Sequence, residues 1–215
     1  MGIIMKYTHI IWDFNGTLLN DVKTGIDSVN VMLKKRGLKT IDSLEYYHSV
    51  FSFPIIDYYR RLGFDIDGEG YDPLANEWVA LYLDTVKKAQ LYDGVKELLK
   101  RIKMSNIKQI LLSATEINML KGQIRSLGID EYFDEVIGLS DIYAYSKTAA
   151  AIDWIKNNKV EKALMIGDTP HDLETAKAMG VDFAAVLGGH AARSAFDDGV
   201  AVYTDLSEIE KLIFE

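Results

Sequence analysis

The stretch IIWDFNGTLLND, Ile10 to Asp21, decides how the rest of the chain reads. An apolar run ends on Asp13, Asn15 follows two residues later, and Gly16-Thr17 breaks the pattern. A near-continuous apolar run is how a strand buried on both faces of a parallel sheet reads. When such a strand ends on a carboxylate and turns at Gly-Thr, it brings a charged group to the sheet rim, where open α/β folds bind their ligands. Asn15 stands out there, because its amide cannot carry a proton.

Working outward, the first run is THIIWDF (8–14), and five more follow it: KQILLSA (108–114), DEVIGLS (134–140), KALMIGD (162–168), DFAAVLG (182–188) and AVYT (201–204). Helical patterns lie between them. Val95, Leu98, Leu99 and Ile102 share one face, and Ile117, Leu120, Ile124 and Leu127 share another that stops at Gly128. Ala149, Ile152, Trp154 and Ile155 form a third, and Leu173, Ala176 and Met179 run to Gly180. Strand and helix alternate, which predicts an α/β fold with a doubly wound parallel sheet over residues 1–19 and 90–215. Residues 20–89 differ. Val22, Ile26, Val29 and Leu33 mark one helix closed by Gly37, and residues 54–63 and 73–89 mark two more, with no clear strand among them. They predict a small all-helical insert. Pro54, Pro73 and Pro170 each stand where a helix should begin.

Composition narrows the function. The chain has 215 residues, of which 48% are hydrophobic and 26% charged, an ordinary globular balance. Its net charge is -8 with no Lys/Arg cluster, which argues against a nucleic acid or an anionic membrane as partner. There is no cysteine, so disulfide and thiol chemistry are excluded and the cytoplasm is the expected compartment. The N-terminus has no long apolar segment and reads as a few disordered residues before a strand. Met1-Gly2 hints at myristoylation, but Lys6 stands where that motif needs Ser or Thr. The loop DIDGEG (65–70) carries Gly68 at its fourth place, whereas a calcium loop needs glycine at the sixth.

The strand ends deliver one set of groups to one rim: Asp13, Ser113, Asp168, Asp172 in the next helix's first turn, and Lys147 opening the helix after DEVIGLS. This set suits phosphoryl transfer. A carboxylate can attack phosphorus, and the transferring group needs mainly positioning and charge stabilisation. Asp13 would repel a phosphate unless a hard cation lay between them, and Asp13, Asp168 and Asp172 offer the oxygen ligands Mg²⁺ prefers. Lys147 would neutralise the phosphate. Ser113, with backbone N–H groups around Gly16 and Ala114, would bind its oxygens. Each residue alone has an ordinary structural role, as a turn former, helix cap or solvated charge. Four signals in order, each at a strand end or just beyond it, make the site.

DFNGT, LLSAT, Lys147 and GDTPHD resemble the four motifs of the haloacid dehalogenase superfamily. LYDGVKELLKRI and LGIDEYFDEVIGLSD look like its connecting segments, so the likeness covers nearly the whole chain. The helical insert resembles the cap of the phosphoglycolate phosphatase-like branch. The resemblance implies a Rossmann-like core and Asp13 as nucleophile. It implies Mg²⁺ held by Asp13, Asp168 and the carbonyl of Asn15, with Asp172 supporting. Gly16, Thr17, Ser113, Ala114 and Lys147 would hold the phosphate, and the cap would close and select the substrate, a small phosphorylated metabolite. A monomer or a homodimer is expected.

Asn15 departs from that pattern. Family phosphatases usually carry aspartate there, which protonates the leaving alkoxide and then activates water. Losing a general acid/base typically costs about 10²–10⁴-fold. His171, His190 and His48 are candidate substitutes. Arg60 or Arg61 could pair a substrate carboxylate or second phosphate. Two alternatives stay open. One is hydrolysis of a C–P or C–halogen bond, the former needing a cap lysine for which Lys34 and Lys35 are the candidates. The other is a phosphate-ligand sensor on a disabled scaffold. A two-component receiver is rejected, since it has no helical insert.

Overall fold

The computed structural model describes residues 6–215, and the readings of Met1-Gly2 and of the first few residues lie outside them. The chain opens on β1 (His9–Trp12) and β2 (Leu19–Asn20). Five helices follow: α1 (Val22–Lys35), α2 (Leu44–Val50), α3 (Ile55–Arg61), α4 (Ile66–Glu69) and α5 (Tyr71–Thr85). Then come β3 (Gln90–Leu91), α6 (Val95–Met104), β4 (Lys108–Glu116), α7 (Ile117–Leu127), β5 (Glu135–Leu139) and α8 (Thr148–Asn157). The chain ends with β6 (Ala163–Gly167), α9 (Pro170–Met179), β7 (Asp182–Val186), β8 (Val202–Tyr203) and α10 (Leu206–Phe214).

Six strands make one parallel sheet in the order β5-β4-β1-β6-β7-β8. β1 lies at its centre, with Ile11 opposite Ile110 of β4 on one side and Met165 of β6 on the other. Alternate side chains enter opposite layers, as the two-residue period of a strand dictates. Ile10, Trp12, Leu111, Leu164 and Ile166 pack against α6, α7 and α10, and Ile11, Ile110, Leu112 and Met165 against α8 and α9. That explains why these strands read as apolar throughout. Each fully buried Leu or Ile in these layers contributes about 1.5–3 kcal/mol.

The helices α1 to α5 share a separate apolar cluster, centred on Val29, Met32, Leu33, Tyr47, Tyr59 and Leu74. Where the chain leaves and re-enters the sheet unit, β2 and β3 pair antiparallel, Leu19 opposite Leu91 and Asn20 opposite Gln90. Neither two-residue strand is visible in the pattern of residues. Nor is α2, a seven-residue helix whose start is set by the Ser43 side chain accepting the Tyr46 N–H. Residues 65–70 form a helical turn rather than a loop, because the Asp65 carboxylate accepts the Gly68 N–H. No helix among the described residues is long and apolar enough to cross a membrane.

Candidate active site

Asp13 and Asp168 lie just beyond the neighbouring strands β1 and β6, beside the point where the order of connections reverses. Asp172 stands in the first turn of α9, and Lys147 caps α8. Oxygen atoms of Asp13, Asp168 and Asp172 lie within 4.8 Å of one another, and all three residues are buried. Lys147, 2% exposed, reaches into this group. Its ammonium donates to Asp13, pairs with Asp172 Oδ1 at 2.6 Å, and donates to the Leu112 carbonyl at 3.1 Å. Asp168 accepts the Thr17 hydroxyl at 2.9 Å and the His190 N–H at 2.5 Å. Asp172 Oδ2 accepts the Thr169 N–H at 2.9 Å and hydroxyl at 2.6 Å, closing a capping box.

Three carboxylates against one lysine leave negative charge in a buried place. Burial therefore pushes the carboxyls of Asp13 and Asp168 up. Burial acts the same way on Asp172, but the Lys147 charge and the Thr169 hydrogen bonds outweigh it and hold that carboxyl down. For Lys147, burial works against the ammonium, and the two aspartates more than restore it. Lys147→Met is expected to destabilise the protein by about 3–5 kcal/mol, because it strands these carboxylates without a counter-charge. The denaturation midpoint in urea reads this, and an unchanged midpoint would show that Lys147 is not what balances them.

Asn15 has a specific place. Its Oδ1 accepts the Thr115 hydroxyl at 2.8 Å, with the Ser113 hydroxyl at 3.4 Å. Its amide N–H donates to Asp21 Oδ2 at 2.7 Å and to the Tyr82 hydroxyl at 3.0 Å. Tyr82 in turn donates to Asp21 at 2.6 Å. Asp21 is 3% exposed, so its carboxylate needs donors on every side. An amide supplies one, whereas an ionised aspartate at position 15 would set two carboxylates face to face. None of this was legible in the sequence. Asp21, Tyr82 and Thr115 carry no pattern of their own, although Thr115 does sit inside the quoted LLSAT.

A family model described as haloacid dehalogenase-like hydrolase matches residues 10–186. The chain belongs to this family. Among its relatives is a phosphoglycolate phosphatase of Mesorhizobium japonicum, 27% identical, with 86% of this chain and 84% of that protein covered. The pyrophosphatase PpaX of Halalkalibacterium halodurans is 26% identical, with 88% and 86% covered. A solved structure described as a predicted phosphatase from Clostridium acetobutylicum superposes with a TM-score of 0.77 at 21% identity, covering 96% of this chain and 98% of its own. Protein tyrosine kinase A of Mycobacterium tuberculosis superposes at 0.79 with 20% identity, covering 96% and 98%. Folds this similar carry differently named proteins, so the reaction has to be argued from the site.

In this haloacid dehalogenase-like hydrolase the remaining predicted residues divide. The strand predicted to end on Ser113 runs on to Glu116, with a register shift between Leu112 and Glu116 that re-aims the rim. Ser113 and Ala114 line a cavity above the carboxylates, together with Asp13, Asn15, Asp168, Asp172 and Lys147. Gly16 and Thr17 do not line it. The Gly16 N–H is taken by the Leu19 carbonyl at 2.9 Å and by Asp21 at 3.0 Å, so it is not free for a phosphate. What the site needs from Gly16 is the missing Cβ: at its φ of +75°, a side chain there would overlap the Asp168 carboxylate and the His190 ring. Thr17 spends its hydroxyl on Asp168.

The insert covers the rim. Phe51 stacks on His190 at 4.9 Å and Phe53 on His171 at 4.8 Å, and both phenylalanines line the cavity. Of the three candidate histidines, His171 and His190 line it, and His48 instead meets the Gly189 carbonyl at 3.1 Å. Burial, with Lys147 nearby, holds His171 below its ordinary pKa. His190 lies 2.6 Å from the Tyr47 hydroxyl and 3.8 Å from Asp21. Arg60 pairs with Asp57 and Arg61 reaches the Val50 carbonyl; both are exposed and neither lines the cavity. Lys34 and Lys35 are exposed as well, with Lys35 held by Glu77 at 2.9 Å. Neither lysine is placed to form an imine with a substrate in this cavity.

Proposed function

We propose that this hydrolase is a Mg²⁺-dependent phosphatase of small phosphorylated metabolites that works through a phosphoryl group carried on Asp13. The observation that carries the reading is the convergence of three buried carboxylates and one buried lysine on the rim, at the floor of a cavity. The phosphatase names of its relatives point the same way.

The residues fit the metal. All three side chains offer carboxylate oxygen, the ligand a hard cation prefers, and their uncompensated charge is what a divalent ion would relieve. Asp13, Asp168 and the backbone carbonyl of Asn15 would hold Mg²⁺, with Asp172 supporting. When bound, the ion lowers the electrostatic cost of bringing a phosphate to Asp13. An oxygen of Asp13 attacks phosphorus, and the bond to the leaving oxygen breaks. Lys147 and Ser113 hold the phosphoryl oxygens. Water then attacks the same phosphorus, releasing phosphate and restoring Asp13. Asn15 gives no proton to either step. Residues 20–89 act as a cap that closes over the reaction and keeps water out until the leaving group has gone. We assign the enzyme to the cytoplasm on its lack of cysteine.

A screen of small phosphorylated metabolites, with and without Mg²⁺, tests the reading. Metal-dependent release of phosphate is expected. If no ester turns over while phosphate still binds, the chain is a phosphate-binding protein, the alternative that Asn15 favours. Mg²⁺ should also raise the melting temperature, more at about pH 8 than at about pH 5. The sign follows from Asp13 and Asp168, whose carboxyls are raised in the folded state. Without the ion, the folded chain holds protons that the unfolded chain releases, so stability falls as pH rises from the ordinary carboxylate range through neutrality. An ion that relieves this charge acts most where those groups are ionised. An equal shift at both pH values would remove these carboxylates as the metal site.

A further inference from the structure

We infer that the substrate is a phosphate monoester of a small aromatic alcohol of the phenol class, with its ring held in the cavity between the insert and the rim. The inference rests on the phosphatase reading and adds the substrate class.

The cavity measures about 150 Å³ and opens onto Asp13 and Asp168. A cavity of that volume walled by apolar side chains takes up one benzene ring. Here the walls are Phe51, Phe53, Tyr58, Trp78 and Tyr82 of the insert, with Met119 of α7 on the other side. Aromatic walls favour an aromatic guest through edge-to-face and offset stacking, and a thioether adds its own preference for a ring.

Charge excludes the substrates that the relatives' names suggest. Among the described residues Lys147 is the one lysine or arginine lining the cavity, and it is already bonded to Asp13 and Asp172. Asp21 and Glu116 add further carboxylates to the walls. A substrate carboxylate or second phosphate would lose its water and meet negative groups, with no cation of the insert to pair it. Phosphoglycolate and pyrophosphate each carry such a second anion.

The leaving group supplies an independent argument. With Asn15 in place, no carboxylic acid stands two residues beyond Asp13 to protonate the departing oxygen. A phenol ionises near pH 10, as tyrosine does, so a phenolate can leave without that proton, whereas an aliphatic alkoxide is a far stronger base. In balance, the Asp13–phosphorus bond forms as the phosphorus–aryl oxygen bond breaks. The electron pair leaves on the phenolate, which takes its proton from water. Attack of a second water on phosphorus frees Asp13 and phosphate.

The test is kcat and KM, with Mg²⁺, for phenyl, benzyl and ethyl phosphate, 2-phosphoglycolate and pyrophosphate. Phenyl phosphate should have the highest kcat/KM, at least about 100-fold above the two competitors that carry a second anionic group, the scale at which a site rejects a group it leaves unpaired. Benzyl and ethyl phosphate both release an alkoxide, so their comparison isolates the ring, and benzyl should show a KM lower by about tenfold or more. Phe53→Ala should erase that KM advantage, and Val79→Arg, on the cavity wall, should shift preference toward 2-phosphoglycolate. Equal KM for benzyl and ethyl phosphate, or turnover of 2-phosphoglycolate or pyrophosphate above phenyl phosphate, would overturn the substrate class and leave the phosphatase reading standing. Absence of turnover with every ester overturns both.

Discussion

Asp13→Asn is expected to lower phosphate-ester hydrolysis by about 10⁴–10⁶-fold, the scale on which loss of a nucleophile acts. The wild-type protein, lacking an acid/base at position 15 for the second step, should accumulate the phosphorylated form under turnover. That form is visible as a mass adduct or as a burst of released alcohol, and the variant should show neither. The same change should not cost stability in the absence of metal. Asp13 is 7% exposed and its carboxyl is raised by burial, so the folded chain is relieved of an unfavourable charge while Lys147 keeps Asp172. A lowered kcat together with a raised metal-free melting temperature is therefore the expected pair. If activity survives in Asp13→Asn, the nucleophile lies elsewhere and the mechanism proposed above falls.

Asn15→Asp should act in the opposite direction and selectively. Alkyl esters, whose leaving group needs a proton, should gain up to about 10²–10⁴-fold in kcat, and phenyl phosphate should gain little. The tertiary structure adds a condition. The new carboxyl would stand where the amide now lies 2.7 Å from Asp21, so the two groups must share one proton. A proton held in this way is also the proton a general acid needs. It carries a cost with a definite sign. The shared carboxyl has a folded pKa above its unfolded one, so the variant loses stability relative to the parent as pH rises above the ordinary carboxylate range. Adding Asp21→Asn should restore the stability and leave the alkyl selectivity changed. If Asn15→Asp leaves the alkyl rates where they are and a substitution at His171 or His190 removes them, the acid/base is that histidine.

Much of the molecule was legible because its signals are local. The runs around Ile11, Ile110 and Met165 read as strands since their neighbours alternate between two apolar layers. The convergence of Asp13, Asp168, Asp172, Lys147 and Ser113 followed from each standing at or just past a strand end, as parallel strands all point their carboxyl ends to one rim. The roles expected of Gly16 and Thr17 did not follow in the same way. Their motif implies phosphate contacts, and the fold instead turns the Gly16 N–H and the Thr17 hydroxyl toward Asp21 and Asp168.

By itself, then, the sequence determined the alternation of strand and helix, the helical insert, and the set of side chains carried to the rim, because each is encoded within a few neighbouring residues. Only the tertiary structure decided what surrounds them. Asn15 meets Asp21, Tyr82 and Thr115, of which the last two lie 67 and 100 residues away. The aromatic walls Phe51, Phe53, Tyr58, Trp78 and Tyr82 come from two helices, α3 and α5, and a turn of the insert, which only packing brings to one cavity. A tyrosine or an aspartate reads the same whether it faces water or a buried amide. What it does is set by the packing that brings a distant partner within 3 Å and removes the water that would otherwise satisfy it.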